Sequence, residues 1–281
     1  MKSFYLITNE VKDPALQYTG RVISFLQKQE GCKVVRSGCS GGGSLHTDMT
    51  QIPGDTDCVL VLGGDGTLLQ AARDLYTGDI PLIGINLGNV GYLAEIEVSH
   101  MEEALLKLIQ DEYMIEERMM LTGVVEGSAQ AEGKAFNDVV ITRSGSLQIV
   151  QYDIYVNDCF LYSCQADGMI VSTPTGASGY NMSAGGPIVS PVANLILLTP
   201  ICSHSMNNRS IVLSPDDRVK IVIPNKAERE QKAEVHFDGR DAVPLCEGDS
   251  VTICRAKETT KIVKLNQESF ITVLHKKMNG V

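Results

Sequence analysis

The chain is predicted to join an α/β N-terminal domain with a parallel sheet to a β-rich, sandwich-like C-terminal domain, and three observations predict it. Through the first hundred residues or so, short apolar runs alternate with longer amphipathic stretches, the βαβα pattern of a parallel sheet. Beyond about residue 117 the period changes to strand-like alternation with dense turn signals, as in antiparallel sandwiches and barrels. The composition is ordinary for a globular chain: 281 residues, 43% hydrophobic and 21% charged, enough for one large or two small domains with a sizeable core. The expected boundaries are 1–117 and 118–255. The last segment, Lys261 to Leu274, reads as two further strand-like runs whose domain is left open.

Phe4 to Thr8 is the first expected strand. Pro14 to Glu30 places Leu16, Val22, Ile23, Phe25 and Leu26 at helical spacing and ends at Gly31, a C-cap residue. The glycine-rich patch 38–44 reads as a mobile loop, because it lacks the flanking strand and helix of a dinucleotide fingerprint. Cys58 to Leu62 is wholly apolar, as in a strand covered on both faces, and runs into Gly63-Gly64-Asp65-Gly66-Thr67 and then a helix from Leu68 to Arg73. A strand follows at Pro81 to Asn86, and Ser99 with Glu102 forms a capping-box pattern ahead of the helical run 104–109. In the second half Val150, Tyr152, Ile154 and Val156 alternate with polar residues up to a turn at Asn157-Asp158. Short strands are expected at Gly168–Thr173, Leu195–Thr199, Arg218–Ile223, Glu234–Phe237 and Ser250–Arg255.

Charge narrows the function. Twenty-four Lys and Arg against 34 Asp and Glu give a net charge of −10, which argues against non-specific nucleic-acid binding. An anionic ligand must then be met by backbone amides, a metal ion or a few local cations. No apolar run approaches the length of a membrane span, and the start of the chain is too short an apolar run for a secretory signal. The eight cysteines contain no CxxC pair and the five histidines no HExxH, so thiols are read as free or buried and no structural metal is expected. The expectation is a soluble, cytoplasmic protein.

Two stretches carry chemistry. Gly63-Gly64-Asp65-Gly66-Thr67 sits where a parallel strand gives way to a helix, where ligands gather in open α/β sheets. Its glycines let backbone approach phosphate oxygens, and the amides at the helix start attract anions. Asp65 would repel phosphate, so it suits a metal anchor or a general base beside a substrate hydroxyl. The bland alternative is a tight turn with Asp65 as helix N-cap. No GxxxxGK[ST] occurs, which excludes the P-loop class. The second stretch, Asp167 to Ile188, holds six hydroxyl or phenol side chains and five glycines. That is a poor core, and it suits a ligand rich in hydroxyls, amides and phosphates, with Tyr180 able to flank a ring. The alternative is a turn-rich loop joining two strands.

Together with Asn137-Asp138, Gly88 to Ala94, His204, Asn208-Arg209 and Ile211 to Leu213, these stretches resemble the NAD kinase family. The resemblance runs from about residue 55 to residue 255 with the motifs in the family's order. The GGDGT string is also similar to diacylglycerol, sphingosine and 6-phosphofructokinases, whereas the long TPTG run is specific. The resemblance implies transfer of the γ-phosphoryl group of ATP, or of polyphosphate, to the 2′-hydroxyl of the adenosine ribose of NAD, with Mg²⁺ or another divalent cation accompanying ATP. It implies Asp65 as proton acceptor, Gly63, Gly64, Gly66 and Thr67 as phosphate loop, and Gly66 as backbone partner beside Asp65. Asn137 and Asp138 match the pair that holds the dinucleotide, and Asp167 an aspartate near its nicotinamide end. Thr175, Ser178, Gly179, Tyr180 and Ser183 match positions around bases and ribose. Gln148, Gln165 and Arg240 (in Asp238-Gly239-Arg240, similar to a DGQ element) are weaker matches. The family arrangement further implies a site between two domains, a tail 256–281 returning to the first domain, and homodimers or homotetramers.

Three features depart from the family pattern. Asp138 replaces the usual Glu, Ala177-Ser178-Gly179 replaces Ser-Thr-Ala, and Arg240 adds a cation. They bear on affinity and on NAD-versus-NADH preference more than on the reaction. A lipid or sugar kinase would share GGDGT but leave the TPTG run unexplained, and a dinucleotide sensor would have no use for Asp65. His46, His100, His236 and His275 have no metal-ligand spacing, His204 reads as structural support, and Tyr92 and Leu93 read as packing residues.

Overall fold

The computed structural model describes the chain except for residues 39–46, 89–90, 146–148, 205–208, 226–230, 241, 266–269 and 279–281, and the side chains of 276–278. Most of the glycine-rich patch and Gln148 therefore lie outside the described residues. The chain forms two compact units, one of Met1–Glu117 with Thr259–Val281, the other of Arg118–Glu258.

The first unit runs β1 (Ser3–Thr8), α1 (Gln17–Gln27), β2 (Lys33–Arg36), β3 (Cys58–Gly63), α2 (Asp65–Asp74), β4 (Leu82–Asn86), β5 (Ile96–Glu97) and α3 (Met101–Ile109). Strands β2, β1, β3 and β4 lie side by side, all parallel, with Tyr5 opposite Val59 and Leu60 opposite Ile83. Every residue of β3 is buried, which is why it reads as an unbroken apolar run. One face of the sheet packs Phe4, Leu6, Leu60, Leu62, Ile83 and Ile85 with Val22 and Leu26 of α1 and Met101, Leu105 and Leu108 of α3. Helix α2 packs on β3 and β4 with Leu68, Ala71 and Ala72 buried.

Helix α1 is shorter than its periodicity suggests. Leu16, the residue before it, takes a left-handed conformation at φ 51°. The Asp13 carboxylate accepts the Tyr18 and Thr19 amides, so the cap of the first turn comes from upstream of Leu16. The expected capping box at Ser99 is absent. A 3₁₀ turn over Val98–His100 absorbs Ser99 before α3 begins, and its hydroxyl bonds His100 Nδ1 at 3.1 Å instead of a helix amide.

β6 (Met114–Glu126) leads into the second unit, which continues β7 (Ala131–Ala135), β8 (Asp138–Arg143), β9 (Val150–Val156), β10 (Cys159–Ala166), β11 (Gly168–Ser172), α4 (Tyr180–Ser183), β12 (Ile196–Ile201), β13 (Ile211–Leu213), β14 (Val219–Val222), β15 (Ala233–Phe237), β16 (Val243–Leu245) and β17 (Ser250–Lys264). One antiparallel sheet has the order β13-β12-β11-β8-β15-β16, and β10, β9, β14 and the first part of β17 form another antiparallel set. Alternate residues of the two, among them Val139, Ile141, Val171 and Val235 with Tyr152, Ile154, Ile221 and Ile253, share one core. The opposite face of β8 and β11 carries a small cluster of Val140, Ile170 and Ile201 with Ala184 packed against it.

Beyond residue 258 the chain belongs to the first unit again. The end of β17 pairs in parallel with β4, Ile262 opposite Leu82. The second strand expected in the tail is instead a helix, α5 (Phe270–Met278). A short apolar run such as Phe270 to Leu274 carries no period long enough to separate the two.

Candidate functional site

In the first unit the glycine loop is where β3 becomes α2. Gly64 precedes the helix and Asp65 is its first residue. Asp65 therefore sits one position inside the helix, and its carboxylate caps no amide of its own turn. Oδ2 accepts the Tyr92 amide at 2.6 Å, and Oδ1 accepts the Leu93 and Ala94 amides, each at 3.1 Å. Gly66 is exposed, and a Cβ there would meet nothing within 4 Å, so this backbone is open to a ligand. Thr67 is buried, with its hydroxyl accepting from Asn9 Nδ2 at 3.1 Å, and Asn9 in turn donates its amide to Leu62 O. The turn that begins at Asn9 delivers a cation. Lys12 Nζ lies 2.7 Å from where a Cβ on Gly64 would be and 3.1 Å from where one on Gly88 would be. Among the described residues no carboxylate pairs with this ammonium. First-turn amides, a cation and Asp65 thus stand together at the start of α2.

In the second unit the antiparallel pairing of β8 and β11 sets the geometry. Ser172 lies opposite Asp138, so the residues before β8 and those after β11 meet at one end of the pair. Thr173 bolts them together: its amide donates to Asn137 O at 2.8 Å, its hydroxyl donates to Phe136 O at 2.7 Å and accepts the Gly176 amide at 3.1 Å. Gly176 must be glycine, since a Cβ would lie 2.3 Å from Asn137 O. Asn181, wholly buried, accepts from Thr199 Oγ1 at 2.7 Å and donates toward Ala177 O and Pro187 O, which anchors the turn after α4. Several hydroxyl and amide groups of the stretch are thus engaged in holding it. Two atoms are not: Asn137 Oδ1 and Thr175 Oγ1 are buried without a hydrogen-bond partner. Unpaired buried polar atoms are costly, and two at one place suit a ligand that pairs them.

Asp138 stands beside them, 7% exposed. Burial, and then the charge of Asp238, push its carboxyl up to about 7. Asp238 itself accepts the Phe136, Asn137 and Asp138 amides at 2.7, 2.8 and 3.0 Å. It does so from a left-handed turn, at φ 51°, followed by Gly239 at φ 68°. That single side chain fixes the backbone of the Asn137-Asp138 pair.

Of the other expected residues, Ser178 and Gly179 follow Thr175 directly, whereas Tyr180 and Ser183 belong to α4, after which Ala184 packs on the outer face of β8 and β11. The Ser178 hydroxyl donates to Thr175 O at 3.3 Å, Tyr180 is 45% exposed and Ser183 is exposed. The Tyr180 phenol is raised by burial and by nearby Cys202, Asp138 and Asp167. Arg240 is exposed in the turn after β15 that carries Asp238, and its carbonyl is 2.8 Å from His236 Nδ1. Asp167 and Gln165 belong to the opposite end of the pair, where Asp167 accepts from Arg143 Nε at 2.9 Å. Five strand residues separate Asp167 from the Asp138 end, about 17 Å at ~3.4 Å per residue, so a ligand touching both is elongated. Sequence reasoning overlooked Lys12, credited the Asp238-Gly239-Arg240 element to Arg240 and not to Asp238, and read Tyr92 and Leu93 as packing residues where their amides, with that of Ala94, hold Asp65. Only Asp238 has a local signal, an Asp-Gly turn after a strand.

Comparison with known proteins accounts for both halves. Residues 4–113 match the ATP-NAD kinase N-terminal domain family and residues 136–265 the ATP-NAD kinase C-terminal domain family. The chain is 45% identical over 282 residues to an NAD kinase of Agathobacter rectalis, covering 100% of this chain and 99% of that one. It is also 45% identical to an NAD kinase of Lachnoclostridium phytofermentans, with 99% of each covered. Among solved structures it resembles the yeast NADH kinase complexed with NADH, with TM-score 0.82, 22% identity, and 99% of this chain and 88% of that one covered. It likewise resembles an NAD kinase from Archaeoglobus fulgidus in complex with ATP, with TM-score 0.78, 22% identity and 100% of each chain covered. The two-domain fold, an α/β unit and a β-rich unit, is that of these structures. With both domain families matched in order and near-complete coverage at 45% identity, this chain belongs to the NAD kinase family.

Proposed function

We propose that this protein is an ATP-dependent NAD kinase, with Asp65 as the proton acceptor. The observation that carries the reading is the Asp65 carboxylate at the start of α2, beside open backbone at Gly66 and the Lys12 ammonium. A carboxylate within a cationic, amide-rich anion site has a use when a hydroxyl must lose its proton next to a phosphate. The 2′-oxygen of the NAD adenosine ribose forms a bond to the γ-phosphorus as the bond from that phosphorus to the ADP oxygen breaks. The hydroxyl proton passes to Asp65 and then to water, leaving NADP and ADP. The backbone of Gly63, Gly64 and Gly66 at the start of α2, and the Lys12 ammonium, hold the transferring phosphates, while Thr67, its amide donating to Gly64 O and its hydroxyl bonded to Asn9, braces the loop from beneath. Alignment with charge neutralisation supplies most of the acceleration.

Asn137, Asp138, Thr175, Ser178, Gly179, Tyr180 and Ser183 hold one part of the dinucleotide. The two unpaired atoms on Asn137 and Thr175 support this role. Asp167, with Gln165, takes the distant end, and Arg240 and Gln148 complete the contacts. A divalent cation, Mg²⁺, enters as part of the ATP substrate. Inorganic polyphosphate is the alternative donor. None of the described helices is long and apolar enough to cross a membrane, and the proposed setting is the cytoplasm, as a homodimer or homotetramer.

The test is NADP formation by purified protein with ATP, Mg²⁺ and NAD, alongside Asp65→Asn. A fall in kcat of about 10²–10⁴-fold with NAD affinity retained is expected for loss of a general base. A folded wild type that makes no product from NAD or NADH, with ATP or polyphosphate, would refute the kinase reading and favour a dinucleotide sensor.

A further inference from the structure

The surroundings of Asp65 use most of its hydrogen-bonding capacity. An ionised carboxylate offers about four lone-pair sites. Two on Oδ1 receive the Leu93 and Ala94 amides and one on Oδ2 receives the Tyr92 amide, so one acceptor site remains, on Oδ2. The donors come from a braced segment: Ala94 is 7% exposed, and its Cα lies 2.8 Å from where a Cβ on Gly84 of β4 would be. The close approach is possible only because residue 91 lacks a side chain. A Cβ on Gly91 would lie 1.8 Å from Asp65 Oδ1 and 2.5 Å from its Cγ.

We infer that the Tyr92, Leu93 and Ala94 amides form a cradle that orients the Asp65 carboxylate, leaving the free acceptor site of Oδ2 to take the substrate proton, and that Gly91 is the positioning residue that lets the cradle close. This rests on Asp65 being the proton acceptor. A carboxylate free to turn would face the reacting hydroxyl only part of the time. Held by three N–H donors, it presents one oxygen in one direction, and an attacking hydroxyl that loses its proton as the O–P bond forms meets it without a search.

The test uses the full chain. In Gly91→Ala the added methyl displaces the carboxylate by about 1 Å, and kcat is expected to fall about a hundredfold with the NAD and ATP KM values within about twofold of wild type. Gly20→Ala in α1, where a Cβ meets nothing within 4 Å, is the control and keeps wild-type kcat. Independently of activity, amide exchange is followed by NMR. Tyr92, Leu93 and Ala94 are expected to be protected in the wild type and released in Asp65→Ala. Wild-type kcat in Gly91→Ala, or unprotected 92–94 amides in the wild type, overturns the cradle. If Gly91→Ala fails to fold, the exchange experiment decides alone. Protected amides in a wild type that makes no NADP would uphold the cradle while refuting the kinase reading, so the two failures are distinguishable.

Discussion

With Asp138 proposed as a contact to NAD, its raised carboxyl is expected to make stability and NAD affinity respond to pH with opposite signs, and Asp138→Asn is expected to abolish both of these contributions. In the folded chain the carboxyl titrates at about 7, in the unfolded chain near its ordinary 3.8. Between these values the native state keeps a proton that the unfolded state has released, so stability falls as pH rises. The contribution is fully present below about pH 4 and gone above about pH 7, at ~1.4 kcal/mol per pH step and at most about 4 kcal/mol in all. Affinity runs the other way. A carboxylate accepting from a ribose hydroxyl does so best when ionised, so the KM for NAD is expected to fall as pH rises toward 7 and then level off. The carboxamide of the variant does not titrate, and its carbonyl accepts at any pH, more weakly. Urea unfolding of both proteins at pH 5, 6, 7 and 8 measures the first effect, and initial rates over the same range measure the second. A stability difference between wild type and variant that stays constant across this range would refute the reasoning, because it would place Asp138 in a site that does not penalise its charge.

Asp238→Asn removes a charge beside Asp138 and leaves at least one of three backbone amides facing an NH₂ group. Unfolding is expected to be easier by about 1–3 kcal/mol, with the NAD pH profile moved to lower pH, read by the same urea and rate measurements. Lys12→Met is expected to raise the KM for ATP at least about tenfold, the value of a charge-assisted phosphate contact, with the KM for NAD unchanged in steady-state assays. Gly176→Ala forces a methyl against Asn137 O, where a Cβ has only 2.3 Å. A loss of about 1–3 kcal/mol in urea unfolding and weaker NAD binding by calorimetry are expected, since the 136–138 backbone would have to move.

The two architectures were legible because each has its own hydrophobic period. β3 is buried on both faces and reads as a solid apolar run, whereas Val150 to Val156 shows one face to the core and alternates. The glycine loop was legible because a strand, a run of small residues and a helix follow one another without interruption. The tail was misread because Phe270 to Leu274 is too short to show a period. Ser99 was misread because a local capping pattern cannot announce the 3₁₀ turn that absorbs it.

Local order in the chain determined most of the strands and helices before the tail, and that Asp65 follows an apolar strand and opens a helix. Only the tertiary structure decided what those residues touch. Asp238 reaches the 136–138 amides from a hundred residues away, Tyr92 to Ala94 close on Asp65 across twenty-seven or more, and burial at the end of the β8–β11 pair lifts Asp138. Hydrogen bonds and desolvation depend on distance in space, and strand pairing that joins distant segments leaves no periodic trace in the residues it brings together.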